Sequence, residues 1–200
     1  MLSKPKYKIC KRLGSGVYEK CQTEKFALSE ARVKKTFKRR RNLSDYGRQL
    51  LEKQKVRFTY GVTEKQLRKY VANALATKDP ATELYKELET RLDNTVYRLG
   101  FAPTRRAARQ MVSHGHVIVN GKRMTVPSHI VKKGDALGVR EASKDKTLFV
   151  GNSETITAHT APKWLTVDSK KLSASVKSIP EFVAAEVGFD MPVVFEFYNR

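Results

Sequence analysis

The chain has 200 residues, with 40 lysines and arginines against 20 aspartates and glutamates, which gives a formal net charge of +20 at neutral pH. An excess of this size is rare in a self-contained soluble enzyme and indicates a polyanionic partner. No stretch approaches the roughly 18 apolar residues of a membrane-spanning helix. The N-terminus also lacks the pattern of a secretory signal, so we expect an intracellular protein without a membrane partner.

The positive charge is concentrated in the first half of the chain. Residues 1–91 carry a net charge of +14, and residues 1–42 alone carry +11 with few apolar side chains. Such a segment gains too little from burial to offset its chain entropy, so we expect it to order only against RNA. Its most basic run is expected to contact RNA, with a disordered or nuclear-targeting run as the alternative. That run comprises Lys38, Arg39, Arg40 and Arg41.

Two cysteines, Cys10 and Cys21, lie in this same basic segment. A pair of cysteines outside any periodic segment of an intracellular protein is not the pattern of a disulfide-stabilised fold. We therefore expect no disulfide framework.

Three helices are predicted between residues 44 and 92. Ser44 is a suitable N-cap for a helix from Asp45 to Tyr60, and Gly61 ends it. Thr63-Glu64-Lys65-Gln66 is a capping box for the second helix, and Asp79-Pro80 provides an N-cap and a first-turn proline for the third. The periodicity of the first helix directs four basic side chains outward, towards RNA: Arg48, Lys53, Lys55 and Arg57.

The second half of the chain predicts short helices followed by strands. One short helix covers residues 92–99, and Thr104 caps another from Arg105 to Ser113. Asn120-Gly121 favours a tight hairpin turn between two strands, and further strands are predicted at residues 136–139, 164–167 and 193–197. The predicted fold is α+β, with an all-helical N-terminal domain followed by a helix-helix-hairpin RNA-binding module within a small mixed domain.

The candidate site lies on the second short helix and the hairpin. Arg105, Arg106 and Arg109 share one face, because the apolar residues of that helix occupy the opposite face. Guanidinium groups bind phosphate bidentately, and the helix N-terminus adds backbone N–H donors. Lys122 and Arg123 of the hairpin add two cations nearby. These residue types predict a surface for structured RNA, which is recognised largely through phosphates and shape; a solvated helix face is the alternative.

Three segments of this region resemble the RNA-binding domain of the family of small-ribosomal-subunit protein four. They are Arg91-Leu92-Asp93-Asn94-Thr95, Thr104-Arg105-Arg106-Ala107-Ala108 and Val117-Ile118-Val119-Asn120-Gly121-Lys122. The resemblance continues outside the module, for example in Leu43-Ser44-Asp45-Tyr46-Gly47 and Glu196-Phe197-Tyr198-Asn199-Arg200. It covers roughly residues 43–200.

The resemblance implies a non-enzymatic constituent of the small subunit of the cytoplasmic ribosome. Such a protein binds small-subunit ribosomal RNA directly at a multi-helix junction of the 5′ domain and nucleates assembly. The resemblance also implies a position where mRNA enters the subunit, with small-subunit protein five and mRNA as partners and an effect on translational accuracy. Neither a cofactor nor a small-molecule substrate is expected.

The N-terminus departs from a pattern found in some members of that family, in which four cysteines hold zinc. Tetrahedral zinc needs four ligands. Cys10 and Cys21 supply two, and no histidine precedes His114. We therefore expect no structural metal.

Two other classes of protein remain open. The same module is appended to RNA-modifying enzymes, but the chain contains neither a G-x-x-x-x-G-K nor a G-x-G-x-x-G motif. A stress-response factor that binds stalled large subunits would use the module alone and would not need a helical N-terminal domain.

The sequence predicts three domains. They are a basic extension at residues 1–42, a helical domain at 43–91, and the RNA-binding module with C-terminal strands at 92–200. The last residues are free to pack back on the helical domain.

Overall fold

The computed structural model describes residues 5–32, 43–144, 149, 160–168, 171–183 and 187–199. The chain divides into two compact units: the first unit comprises Met1–Ala81 and Val183–Arg200, and the second unit comprises Thr82–Phe182. The α+β prediction is confirmed, because helices precede a five-stranded antiparallel sheet. The basic run at residues 38–41 lies outside the described residues.

The N-terminal part of the first unit has a small core of its own. It contains α1 (Lys6–Leu13), two 3-10 turns (Ser15–Val17 and Glu19–Cys21) and α2 (Glu24–Ala31). The expectation that this segment lacks a core is therefore wrong for residues 5–32. The composition did not predict this core, because each element contributes only one or two apolar side chains to it. They are Cys10, Leu13, Val17, Cys21 and Phe26.

A disulfide joins Cys10 of α1 to Cys21 of the second 3-10 turn, with their Cα atoms 6.5 Å apart. The sequence led us to expect no disulfide framework, and this single cross-link was not predicted. Both cysteines are 2% exposed, so they belong to the core that they connect. A core this small gains little from burial, and a cross-link stabilises it by restricting the unfolded chain. Within the described residues, no three side chains of the metal-binding types lie together.

Three longer helices follow, and the predicted capping residues define where two of them begin. The helix α3 (Asp45–Thr59) begins where the Ser44 side chain accepts a hydrogen bond from the backbone N–H of Gly47, at 3.2 Å. The helix α4 (Glu64–Leu75) begins at the predicted capping box between Thr63 and Gln66. The helix α5 (Pro80–Glu89) begins at the predicted proline. Local capping chemistry therefore predicted where all three helices begin to within about one residue.

The second unit is a helix pair packed on a sheet. The pair is α6 (Leu92–Arg98) and α7 (Arg105–Ser113), and the strands are β1 (Val117–Val119), β2 (Lys122–Met124) and β3 (Ala136–Val139). After these come α8 (Glu141–Lys144), β4 (Leu165–Asp168) and β5 (Ser173–Val176). The sheet is antiparallel in the order β2-β1-β3-β5-β4. Its core joins apolar residues of both helices to the inner face of the sheet.

The hairpin between β1 and β2 has the predicted tight turn. Asn120 and Gly121 have φ angles of 50° and 77°, the left-handed region that asparagine and glycine tolerate best. The pairing places Val119 opposite Lys122 and Ile118 opposite Arg123. The turn therefore sets the register that presents the two basic residues of β2.

The C-terminal segment forms a helix, α9 (Met191–Tyr198), where the sequence predicted a strand at residues 193–197. The strand prediction is wrong because a short apolar run fits both periodicities. Asp190 caps the helix by accepting a hydrogen bond from the backbone N–H of Val193, and Pro192 occupies the first turn. The helix packs on α3, where the Gln49 amide donates to the Glu196 carboxylate at 3.0 Å.

Candidate RNA-binding surface

The basic face of α7 exists as predicted. The Thr104 hydroxyl accepts a hydrogen bond from the backbone N–H of Ala107 at 3.1 Å and fixes where the helix begins. Residues of the opposite face are buried in the core of the second unit. Arg106 is exposed, whereas Arg105 and Arg109 are half-buried. The three side chains thus differ in how freely they can move, although they share a face.

Arg105 is held in place by neighbouring side chains of the same unit. Its Nε donates to the Asn94 amide oxygen at 2.8 Å, and its guanidinium carbon lies 4.4 Å from the centroid of the Tyr97 ring. A guanidinium held in this way loses less conformational freedom when it binds a phosphate. Arg105 is therefore oriented before any RNA is bound.

Asn94 connects Arg105 to a buried carboxylate on α5. The Glu89 side chain is fully buried, and its Oε2 accepts from the Asn94 amide nitrogen at 2.9 Å. Arg98 donates to both oxygens of Glu89, from Nε at 2.9 Å and from Nη2 at 2.8 Å. We refer to Glu89, Asn94, Arg98 and Arg105 as the Glu89 network. A buried carboxylate is costly unless it is paired and hydrogen-bonded, and this network satisfies that requirement.

Arg98 is not among the basic residues predicted from the sequence to contact RNA. Its side chain is 32% exposed, so it is paired to Glu89 and still reaches the surface. The sequence carried no signal for this role, because the pairing depends on α5 and α6 meeting in space. The structure thus adds Arg98 to the candidate surface.

Arg91, by contrast, has a structural role. It makes a bidentate pair with Asp93, from Nε at 3.0 Å and Nη2 at 2.6 Å, and its side chain is 1% exposed. The backbone N–H groups of Leu92 and Asp93 donate to the carbonyls of His129 and Pro127. The beginning of α6 is therefore attached to the segment that precedes β3.

Arg123 of the hairpin folds back on α7. Its Nη2 donates to the carbonyl of His114 at 3.2 Å, and a Cβ at position 115 would collide with its guanidinium. Gly115, with φ at 73°, is therefore required both for the turn and for this close approach. A cation is favourable at the C-terminal end of a helix. Lys122 and Arg123 are both exposed, so the hairpin presents them as predicted.

A second basic turn lies beside the tip of the hairpin. The Asn120 amide donates to the Asp135 carboxylate at 2.8 Å, and its oxygen accepts from the backbone N–H of Ala136 at 2.8 Å. Burial acts to raise the pKa of Asp135, but the hydrogen bonds from the Lys132 backbone and the Asn120 side chain, together with nearby His129 and Lys132, lower it overall. The carboxylate therefore stays ionised and holds the turn.

This turn exposes Lys132 and Lys133 next to the hairpin. Neither lysine is among the site residues that we predicted from the sequence. The two lysines were visible in the sequence, but the contact between the turn and the hairpin depends on Asn120 and Asp135, which are distant in the chain.

The basic residues of α3 divide into exposed and buried side chains. Lys53 is 6% exposed, donates to Glu64 at 3.1 Å and lies 4.4 Å from the centroid of the Phe197 ring. The prediction that Lys53 points outward is therefore wrong, and we remove it from the candidate surface. Arg48 is largely exposed, whereas Lys55 pairs with Glu52 at 2.6 Å.

Glu64 links α3, α4 and α9 within the first unit. It accepts from Lys53 and from the Tyr198 hydroxyl, at 3.1 and 2.8 Å, and Arg57 lies 3.9 Å from it. Burial acts to raise the pKa of Glu64, but these hydrogen bonds and the two cations lower it overall. Burial and the bond to Glu64 raise the pKa of Tyr198 well above its ordinary value. This cluster holds the helices together.

Comparison with known proteins agrees with this geometry. Residues 1–90 match the family described as Ribosomal protein S4/S9 N-terminal domain, and residues 90–137 match the S4 domain family. The small ribosomal subunit protein uS4 of Chloroflexus aurantiacus is 42% identical over 200 residues, which cover 98% of this chain and 97% of that protein. The same protein of Roseiflexus sp. is 41% identical over 207 residues, covering 98% and 97%, and that of Aquifex aeolicus is 43% identical over 166 residues, covering 81% and 79%.

A rigid helix-helix-hairpin module with an oriented basic face, attached to a basic helical unit, defines a protein that binds structured RNA. The two family matches together cover residues 1–137. The chain belongs to the uS4 family of small ribosomal subunit proteins.

Family membership confirms three predictions from the sequence. The chain is a structural, non-enzymatic ribosomal protein, which excludes the RNA-modifying enzymes. It is a small-subunit protein that binds ribosomal RNA, which excludes a factor for stalled large subunits. Bacterial members of the family are part of the cytoplasmic ribosome. In the described part of the chain, none of the helices combines the length and the apolar character needed to cross a membrane.

Proposed function

We propose that the chain binds a multi-helix junction in the 5′ domain of small-subunit ribosomal RNA directly and nucleates assembly there. The observation that carries the proposal is the Glu89 network, which orients Arg98 and Arg105 before RNA is present. A junction of helices offers a fixed arrangement of phosphates, and a surface with fixed donors suits such a target better than mobile side chains do.

The residues proposed to contact this RNA come from both units. On α7 and the hairpin they are Arg105, Arg106, Arg109, Lys122 and Arg123, to which the structure adds Arg98, Lys132 and Lys133. On the first unit they are Arg48, Lys55 and Arg57, together with the basic run at residues 38–41. We keep as a proposal the functional division into residues 1–42, 43–91 and 92–200.

Footprinting on naked small-subunit RNA tests this proposal. We expect the full chain to protect nucleotides of one junction in the 5′ domain, at protein concentrations where it protects no other domain. Glutamine in place of the three arginines of α7 should weaken that protection. Protection confined to another domain of the RNA would contradict the proposed target.

The proposed place in the subunit is where mRNA enters, beside small-subunit protein five, with an effect on translational accuracy. Membership of the uS4 family supports this proposal. Cross-linking of reconstituted subunits should join this chain to protein five and to bound mRNA, and variants of the shared surface should change the misreading frequency. Reconstituted subunits in which this chain cross-links to neither partner would contradict it.

A further inference from the structure

A groove of about 520 Å³ lies between α1 and α3 of the first unit. Its walls are apolar and include Ile9 of α1 and Leu50 and Phe58 of α3. The volume falls within the range of roughly 300–1,000 Å³ that is usual for small-molecule sites in proteins. The groove therefore has room for one flat heterocyclic ring and the sugar attached to it.

The rim of the groove is cationic. Lys8 and Arg12 are exposed and lie one turn apart on the same face of α1, and Arg57 faces them from α3. The residues that line the groove include no aspartate or glutamate. Arg57 Nε is buried and makes no hydrogen bond to any residue that the structure describes, and the Glu64 carboxylate is 3.9 Å away. The rim thus offers positive charge that the groove itself does not neutralise.

We propose that this groove receives one unstacked nucleotide of the ribosomal RNA, an inference that rests on the proposed function. The base lies between the apolar walls, with Phe58 at its edge, and the adjoining phosphates lie against Lys8 and Arg12. Proteins recognise bases of single-stranded and bulged RNA in this way, by contact with apolar and aromatic side chains next to a cationic track.

The positive charge of the rim favours RNA over an apolar protein segment as the occupant of the groove. Residues 1–42 carry a net charge of +11, and the groove opens beside two of those cations on α1. An apolar peptide would cover the walls and leave the rim cations without a partner, whereas a nucleotide satisfies both. The occupant also arrives tethered to the rest of the RNA, so no separate affinity for a free nucleotide is required.

Two variants of the full chain test base insertion separately from charge. Gln54 lines the groove and is half-buried, so Gln54→Trp fills the groove without changing the charge. It should weaken binding to 5′-domain RNA about 5- to 160-fold, the range expected for loss of one stacked base, with an unchanged salt dependence. A tryptophan at the exposed position Ala72 of α4 is the matched control and should bind like the parent chain.

Lys8→Gln together with Arg12→Gln leaves the walls intact and removes two phosphate contacts. The slope of log K against log salt should fall by about 1.4–1.8, at 0.7–0.9 per contact. Lys65→Gln with Lys69→Gln on α4 removes the same charge at the same helical spacing. This control should change the slope less, because no groove joins those lysines to a base.

Cross-linking of the parent chain provides a readout that does not depend on the stability of a variant. RNA substituted with 4-thiouridine should cross-link to residues 5–13 or 50–58 through one or a few neighbouring nucleotides. Binding by Gln54→Trp that equals that of the parent, or cross-links from this region only to another protein in reconstituted subunits, would overturn the groove proposal. Failure of the parent chain to bind the RNA at all would instead overturn the proposed function.

Discussion

Replacing Asn94 by alanine would disconnect Arg105 from the buried carboxylate of Glu89, because the Asn94 amide contacts both at 2.8 and 2.9 Å. Arg98 would keep its two hydrogen bonds to Glu89, so the carboxylate would remain paired. One unsatisfied buried polar group costs about 1–3 kcal/mol. Because Arg98 still pairs with Glu89, we expect a loss of unfolding free energy in the lower half of this range, at about 1–2 kcal/mol.

The effect of Asn94→Ala on RNA binding should be of a different kind. Arg105 would keep its charge but would have to be ordered at the moment of binding, which costs about 0.5–1.5 kcal/mol for a long side chain. That corresponds to roughly 2- to 12-fold weaker binding at every salt concentration. The slope of log K against log salt should stay the same, whereas Arg105→Gln should lower it by about 0.7–0.9.

Urea unfolding followed by circular dichroism would measure the stability, and titration of 5′-domain RNA at several KCl concentrations would measure the affinity and the slope. Gln110→Ala, on the exposed face of α7, serves as the control and should change neither. If Asn94→Ala bound RNA as tightly as the parent chain, orientation of Arg105 by the network would not matter for binding. A lowered slope would show that the variant had lost a phosphate contact.

Three further outcomes are expected. Glutamine at all three arginines of α7 should lower the salt slope by about 2–2.7 with the fold intact, while Glu83→Gln with Glu87→Gln should strengthen binding slightly; an unchanged slope in the triple variant would mean that this face is solvated. Serine at both cysteines should cost up to about 3 kcal/mol in the loop-entropy account and expose residues 5–32 to trypsin; a digestion pattern that is the same with and without reductant would contradict a stabilising cross-link. Because the folded pKa of Glu64 is lowered, its contribution to stability is present above the unfolded value of about 4.3 and is lost as the pH falls through the folded pKa. Acid unfolding of Glu64→Gln should lack this component, and equal acid sensitivity in both proteins would refute it.

Local interactions within a few residues along the chain made the beginnings of the helices and the hairpin turn predictable. Ser44, the Thr63 capping box and Thr104 act within four residues along the chain, and each began a helix where expected. Asn120-Gly121 likewise specifies its turn through the φ angles that these two residues tolerate. The helix at Met191–Tyr198 was missed because its apolar run has no clear period and its identity depends on the Asp190 cap and on packing against α3.

The wrong or missing predictions for the candidate surface have a different cause. They concern which side chain on another helix pairs with a given basic residue. Lys53 points inward because its ammonium group contacts Glu64 and Phe197, which lie on other helices of the first unit. Arg98 and Arg105 are oriented because α5, α6 and α7 meet at Glu89. These contacts depend on packing, and no periodicity in the sequence reports them.

The scarce acids distinguish cations with a structural role from cations that we propose to contact RNA. With 40 basic and 20 acidic residues, at least half of the cations cannot have a carboxylate partner of their own. Glu64 withdraws Lys53 from the surface, whereas Glu89 leaves Arg98 partly exposed and, through Asn94, orients Arg105. Each of these two carboxylates thus determines the geometry of more than one side chain, so losing one such acid should disturb the surface more than losing one exposed base. The charge total indicates the kind of partner, and the few acids that pair with basic side chains determine which of those side chains stay available to it.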